Sequence, residues 1–193
     1  MKKMFFSCAM VLMLLSIGCG SVLAAGIEGN VNMLLGMKYL EDDDWEPVED
    51  QLLLGVMFDI TPPGSPIAFA VDLLATGDDD DYYDGYDYYE TTGSTTELDL
   101  GIRWYTPPAV IRGYIGGGLA LVNAEITVEV NGHEDSEDDS AVGFFLNGGL
   151  VVTLVRHLNL GLNARYSAAE VDIAGYEAEA GGFALAGVIG YHF

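Results

Sequence analysis

The chain has 193 residues, with 30 acidic and 7 basic side chains and a formal net charge of −23. That balance makes nucleic acid an implausible partner, because phosphate binding rests on Lys and Arg. Both cysteines, Cys8 and Cys19, lie near the N-terminus; without that segment the chain can build neither a disulfide framework nor a thiolate metal site.

Lys2 and Lys3 precede an apolar run of 14 residues, Met4 to Ile17, and Val22, Leu23 and Ala24 offer a cleavage site before Ala25. This is the pattern of a secretory signal peptide, residues 1–24. The run is too short for a spanning helix, which needs about 20 apolar residues. Lipidation at Cys19 is the competing reading; it fits poorly because Ser16, Ile17 and Gly18 lack the larger aliphatic residue usual three places before such a cysteine. Residues 25–193 then form one domain. No later segment resembles a transmembrane helix, so a chain that crosses a membrane must do so as a closed barrel, in which each strand satisfies its neighbour's backbone.

Period-two alternation of apolar and polar residues predicts eight strands: Gly26 to Tyr39, Gln51 to Ile60, Ile67 to Thr76, Glu97 to Tyr105, Val110 to Val122, Ala141 to Leu154, Leu158 to Ser167 and Gly182 to Phe193. Most are close to the 9 to 11 residues that cross a bilayer at a tilt of about 45°. Short turns follow the second, fourth and sixth strands, the first two rich in proline, which lacks a ladder donor. The other connections, Glu41 to Asp50, Asp78 to Glu90, Glu125 to Asp139 and Glu170 to Glu179, are long and hold 25 of the 30 acids. One strand face is apolar, including Met33, Leu35, Leu54, Leu100, Ile102, Leu146 and Leu162, and is expected to meet lipid. The other face holds Glu28, Lys38, Asp59, Asp72, Glu97, Asp99, Arg103, Arg112 and Arg165 among Asn, Gly and Ala, an ion network expected to plug the lumen. Gly101, on that inner face, is expected to accept a serine. The fold class expected is all-β, an eight-stranded antiparallel up-and-down transmembrane barrel. A soluble lipocalin-like periplasmic carrier, with the faces reversed, is the alternative fold.

The last strand alternates up to the terminal residue through Ile189, Tyr191 and Phe193. With Tyr114-Ile115-Gly116-Gly117-Gly118-Leu119 after a proline turn and Leu160-Gly161-Leu162-Asn163-Ala164-Arg165-Tyr166, this resembles the small outer-membrane β-barrel family of Gram-negative bacteria, the OmpX and OmpW type. The resemblance covers residues 25 to 193. It implies an outer-membrane location, a terminal signal at Ile189, Tyr191 and Phe193 read by the barrel-assembly machinery, and short turns on the periplasmic side. It does not choose a function.

Two features of the connections point to contact outside the barrel. Asp78, Asp79, Asp80, Asp81, Asp84 and Asp87 crowd hard oxygen ligands that suit divalent cations such as calcium or magnesium, although their spacing is not that of an EF-hand loop. Tyr82, Tyr83, Tyr86, Tyr88 and Tyr89 lie among them as adhesive or interfacial aromatics. Ile126, Val128 and Val130 alternate with acids before Asn131-Gly132, a hairpin signal that projects strands five and six above the membrane. No cofactor and no catalysis are expected, since His133, His157 and His192 have no Ser or Cys partner nearby in sequence. The functional expectation is a structural, surface-interacting membrane protein that contacts cations or an extracellular protein. A channel for small apolar solutes is the second expectation.

Overall fold

The computed structural model describes residues 27–40, 45, 47–83, 88–107, 109–130, 133–154, 157–173 and 176–193. The leader and its cleavage site lie outside these residues. Eight strands build a barrel: β1 (Glu28–Tyr39), β2 (Asp50–Thr61), β3 (Ile67–Tyr83), β4 (Tyr88–Tyr105), β5 (Ile111–Val130), β6 (His133–Leu154), β7 (Leu158–Ala168) and β10 (Gly182–His192). They close in the order β1-β10-β7-β6-β5-β4-β3-β2. A separate hairpin, β8 (Glu170–Ile173) with β9 (Tyr176–Glu179), stands between β7 and β10. Every barrel pairing is antiparallel, so the short turns share one end with the start of β1 and the end of β10, and the longer connections share the other.

The strand number and the faces agree with the sequence pattern; the lengths of four strands do not. β3 and β4 run on to Tyr83 and Tyr88, so the stretch expected to be an acidic loop is instead a paired hairpin, with Asp81 opposite Glu90. β5 and β6 also run past their expected bounds, to Val130 and His133, and this is the projection that the alternation before Asn131-Gly132 leads one to expect. The alternation used to delimit strands is a record of what the side chains meet, and it fades where apolar surroundings end. The backbone ladder continues past that point because its hydrogen bonds do not depend on side-chain polarity.

Outward positions carry the large apolar residues in an unbroken belt: Leu35 is 61% exposed, Phe69 61%, Ile115 61% and Leu162 68%. So large a continuous apolar surface is far beyond what a soluble monomer leaves in water, which argues against the soluble carrier. No helix among the described residues is long and apolar enough to cross a membrane, and the belt lies entirely on strands.

Two local devices shape the turn end. Pro62 to Ser65 forms a turn closed by the Ser65 amide donating to the Pro62 carbonyl, with Gly64 at φ 74°, the left-handed position that a type II turn reserves for glycine. At the seam, Phe193 exchanges both backbone hydrogen bonds with Gly29, each 3.0 Å long. Its ring lies over Gly29, where an added Cβ would come within 2.6 Å of Phe193 Cζ, and stacks on Phe58 with ring centroids 6.5 Å apart. Tyr191 stacks on His157 of the β6–β7 turn at 5.0 Å. The terminal aromatics thus help to close the barrel where its first and last strands meet.

Gly101 lies opposite Gly118, and a Cβ there would run into the Gly117 carbonyl of β5. The sequence-based expectation that it accepts a serine is therefore corrected: an inward residue need not have room. We expect Leu54→Arg and Leu100→Arg to cost about 2–4 kcal/mol each if they reach the bilayer midplane, and Gly101→Ser to weaken the barrel as well. The measurement is the heat-dependent gel shift of the refolded protein; a normal shift in both arginine variants would show that the belt does not meet lipid.

Candidate functional site

Alternation places Asp59 of β2, Asp72 of β3, Asp99 and Arg103 of β4 and Arg165 of β7 inside the barrel, all essentially without solvent exposure. They form one alternating chain of charges. Arg103 donates from Nη1 to Asp59 at 2.8 Å and from Nη2 to both oxygens of Asp72 at 2.8 and 3.0 Å. Arg165 bridges Asp72, at 2.9 Å, and Asp99. Asn147 adds a further bond to Asp72 at 3.3 Å. Asp72 and Asp99 are direct cross-strand partners, an arrangement of like charges that is unfavourable by itself. Arg165 bridging the two offsets it.

The guanidinium groups also have aromatic neighbours: Arg103 sits 5.4 Å from the Tyr114 ring centroid, Arg165 5.1 Å from that of Phe145 and Arg112 4.6 Å from that of Tyr105. Arginine suits these places because its flat, weakly hydrated cation stacks and forks at once. Arg112 is only half-buried. It stacks on the same Tyr105 whose hydroxyl donates to Asp59 at 2.7 Å, which brings a third arginine near the chain's first carboxylate. Nearer the other end, Lys38 donates to Glu97 and to Thr95, both at 3.3 Å, and to the Ala180 carbonyl at 3.0 Å. Glu97 also accepts from Ser167 at 3.1 Å. Of the nine inner charges named from the sequence, the structure joins Asp59, Asp72, Asp99, Arg103 and Arg165 in one chain and Lys38 and Glu97 in a second pair. Glu28 is exposed at the rim of β1.

Asn159, Gln51, Thr76 and Thr95 were not singled out from the sequence. Asn159 donates to Asn30 and Asn32, both at 2.9 Å, and Asn30 donates to Asp59 at 2.7 Å. Thr76 meets Thr95 at 2.7 Å and also bonds Gln51. The inner wall is also less polar than expected: Leu34, Leu53, Met57, Leu74 and Val188 fill much of it. These apolar side chains take up volume without competing for the network's donors, and they keep water away from the ions.

The end with the long connections is closed by a second apolar cluster. Trp45, 1% exposed, packs with Leu40, Val122, Phe145 and Val171, ringed by Ala120, Ala124, Ala169, Ala178 and Ala180. Its indole N–H donates to the Glu179 carbonyl of β9 at 3.0 Å. The alanines let the cap hairpin and the barrel wall approach closely. Trp45 had no signal in the sequence beyond being a lone large apolar residue in an acidic run.

Of the six aspartates singled out as cation ligands, Asp78, Asp79 and Asp80 lie on β3, where successive residues point to opposite faces. Asp81 follows them on the strand, and Asp84 and Asp87 lie outside the described residues. Among the described residues no group of three or more His, Cys, Asp or Glu is placed to hold a metal ion.

A closed eight-stranded antiparallel barrel with an apolar exterior and a filled, ion-paired interior is the fold of the small outer-membrane barrels. The chain is similar in structure to Ail, the attachment invasion locus protein of Yersinia pestis, in complex with the heparin analogue sucrose octasulfate, with a TM-score of 0.61 and 11% identity over 86% of this chain and 99% of that one. It is also similar to a major outer membrane protein from Thermus thermophilus, TM-score 0.59 and 12% identity over 87% and 100% of the two chains. Neisserial surface protein A matches at TM-score 0.54 and 11% identity over 87% and 97%. No protein-family model and no curated protein sequence matches the chain.

Removing one member of the ion chain should be far worse than removing a pair. Arg103→Met leaves Asp59 and Asp72 without their shared cation, and we expect a loss of about 3–5 kcal/mol. Arg103→Lys should recover little of it, because one ammonium nitrogen replaces the two guanidinium nitrogens that hold Asp59 and Asp72 separately. Urea unfolding of the refolded protein in lipid vesicles gives the comparison; a lysine variant as stable as the parent would mean that the second nitrogen contributes nothing.

Proposed function

We propose that the chain is an outer-membrane protein whose barrel is a sealed anchor and whose long connections form a contact surface outside the cell. The observation that carries this reading is the double closure of the lumen, by the Asp59–Arg103–Asp72–Arg165–Asp99 chain and by the cluster around Trp45. A solute crossing it would have to separate buried ion pairs, each a costly step, and then displace the packed cap. The apolar belt supports membrane insertion, and the split between short turns and long connections supports the orientation. Catalysis has no support in the described histidines: the His157 ring nitrogen meets the His192 carbonyl at 2.8 Å, and His192 meets Asn30 at 3.1 Å.

The printed name of Ail describes attachment, and the heparin analogue in its complex is a polysulfate. This chain suits attachment to a different chemistry, because its long connections hold 25 acids and would repel a polyanion.

Planar-bilayer recording of the refolded protein should show no steady conductance, and regular open levels would overturn the anchor reading. Orientation is tested separately with single cysteines in the full chain, its native Cys8 and Cys19 replaced by serine. In intact cells, Ser136→Cys should react with a membrane-impermeant maleimide while Ser65→Cys in the β2–β3 turn should not. The reverse pattern would invert the topology.

A further inference from the structure

Among the described residues, seven ionisable side chains are buried inside the barrel: Asp59, Asp72, Glu97 and Asp99 against Lys38, Arg103 and Arg165. If all were ionised, the lumen would carry one uncompensated negative charge, which a dry interior tolerates badly. Arg112 does not supply the missing cation. It is half-buried on the Tyr105 ring at the turn end, beside Asp59, which Arg103 and the Tyr105 hydroxyl already serve.

The surplus can be traced to one place. Arg103 and Arg165 are matched by Asp59 and Asp72, and Lys38 by Glu97. Asp99 is the fourth carboxyl, two residues from Glu97 on the same inward face of β4 and so about 7 Å along the strand. Each of these two carboxyls has only one oxygen engaged. Glu97 Oε2 accepts from Lys38 at 3.3 Å and from Ser167 at 3.1 Å, and Asp99 Oδ2 accepts from Arg165. Glu97 Oε1 and Asp99 Oδ1 are buried without a donor, while the two carboxyls lie within hydrogen-bond reach of each other.

No neighbouring strand offers these oxygens a proton donor. On β5 the residues opposite Glu97 and Asp99 are Val122 and Ala120. On β3 they are Leu74 and Asp72, the second another acid. Arg165 Nε and Nη1 have no acceptor either, because the guanidinium is held by Asp72 at 2.9 Å and lies over the Phe145 ring of β6. Two carboxylate oxygens brought together without a donor repel each other. A single proton turns the same contact into a charge-assisted O–H···O bond.

We infer that Glu97 and Asp99 form a proton-binding site in the lumen, holding one proton between Asp99 Oδ1 and Glu97 Oε1 at neutral pH, with the Asp99 hydroxyl donating to the Glu97 carboxylate. The proton comes from solvent when the chain folds and belongs to the pair. Glu97 keeps its charge for Lys38, Asp99 still accepts from Arg165 through Oδ2, and three carboxylates then face three cations. The proton also adds to what Arg165 does for the opposition of Asp72 and Asp99 across β3 and β4.

Two substitutions in the refolded protein test the site. An asparagine has the shape of a protonated aspartic acid, with an N–H for Glu97 and an oxygen for Arg165. Asp99→Asn should therefore change the unfolding equilibrium constant in urea at pH 7 by less than about tenfold, whereas Asp72→Asn removes an anion held by two arginines and should raise it at least about a hundredfold. A rise beyond tenfold in Asp99→Asn would overturn the proposal. Proton counting is an independent measurement: unfolding releases this proton, so the parent's unfolding constant should rise with pH by about tenfold more per pH unit near neutrality than that of Asp99→Asn. Parallel slopes would overturn the site. Infrared spectra of the unmodified protein need no variant. At neutral pH they should show the C=O stretch of a protonated carboxylic acid, shifted by carbon-13 at the aspartate or glutamate carboxyls. A spectrum without that band would overturn the proposal whatever the variants do, and a stability that then followed sodium but not choline at equal ionic strength would put a bound metal cation in the proton's place.

Discussion

Everything in this barrel depends on keeping charge dry without leaving it unpaired. Four carboxylates and three cations, Asp59, Asp72, Glu97, Asp99, Lys38, Arg103 and Arg165, are buried in a space just wide enough for side chains. Each cation bridges or anchors rather than standing alone, and the two arginines each hold two carboxylates. That connectivity explains why the lumen tolerates like charges opposite each other at Asp72 and Asp99. It also explains why apolar side chains share the interior, since water admitted beside the network would weaken the electrostatic attraction on which it relies.

The outside imposes the opposite requirement, and the two together make the sequence legible. A strand with a polar lumen on one side and an apolar belt on the other must alternate strictly, and a one-residue slip would put an arginine in the belt. Strand number, face assignment and the turn ends at Pro62, Pro107 and His157 could therefore be read from the chain itself. Which inner charges meet could not: parity puts Asp72 and Arg165 on the same face, but only the stagger of the closed sheet brings β3 and β7 side chains together across the lumen.

Where lipid no longer enforces alternation, legibility falls. Asp78 to Asp81 and Glu134 to Asp139 look like solvated loops because acids have low strand propensity, yet both are held in ladders by β4 and β5, whose Thr91, Thr92, Thr127 and Val128 favour strands. Trp45 was missed for a related reason. Its burial depends on Val171 and Ala178 of a hairpin far along the chain, and no local pattern records so distant a contact. The alternation of Ile126, Val128 and Val130 did foretell one of the two projecting hairpins, since it is a local pattern.

Barrel closure removes strand edges only where neighbouring strands end at the same height. β1, β2, β7 and β10 have 12, 12, 11 and 11 residues, whereas β3, β4, β5 and β6 have 17, 18, 20 and 22. That inequality creates two new edges above the belt, in the one region where water can satisfy them. An edge without charge would be an aggregation hazard on a crowded membrane surface. The acids on β3 and β6 answer that hazard among copies of this chain.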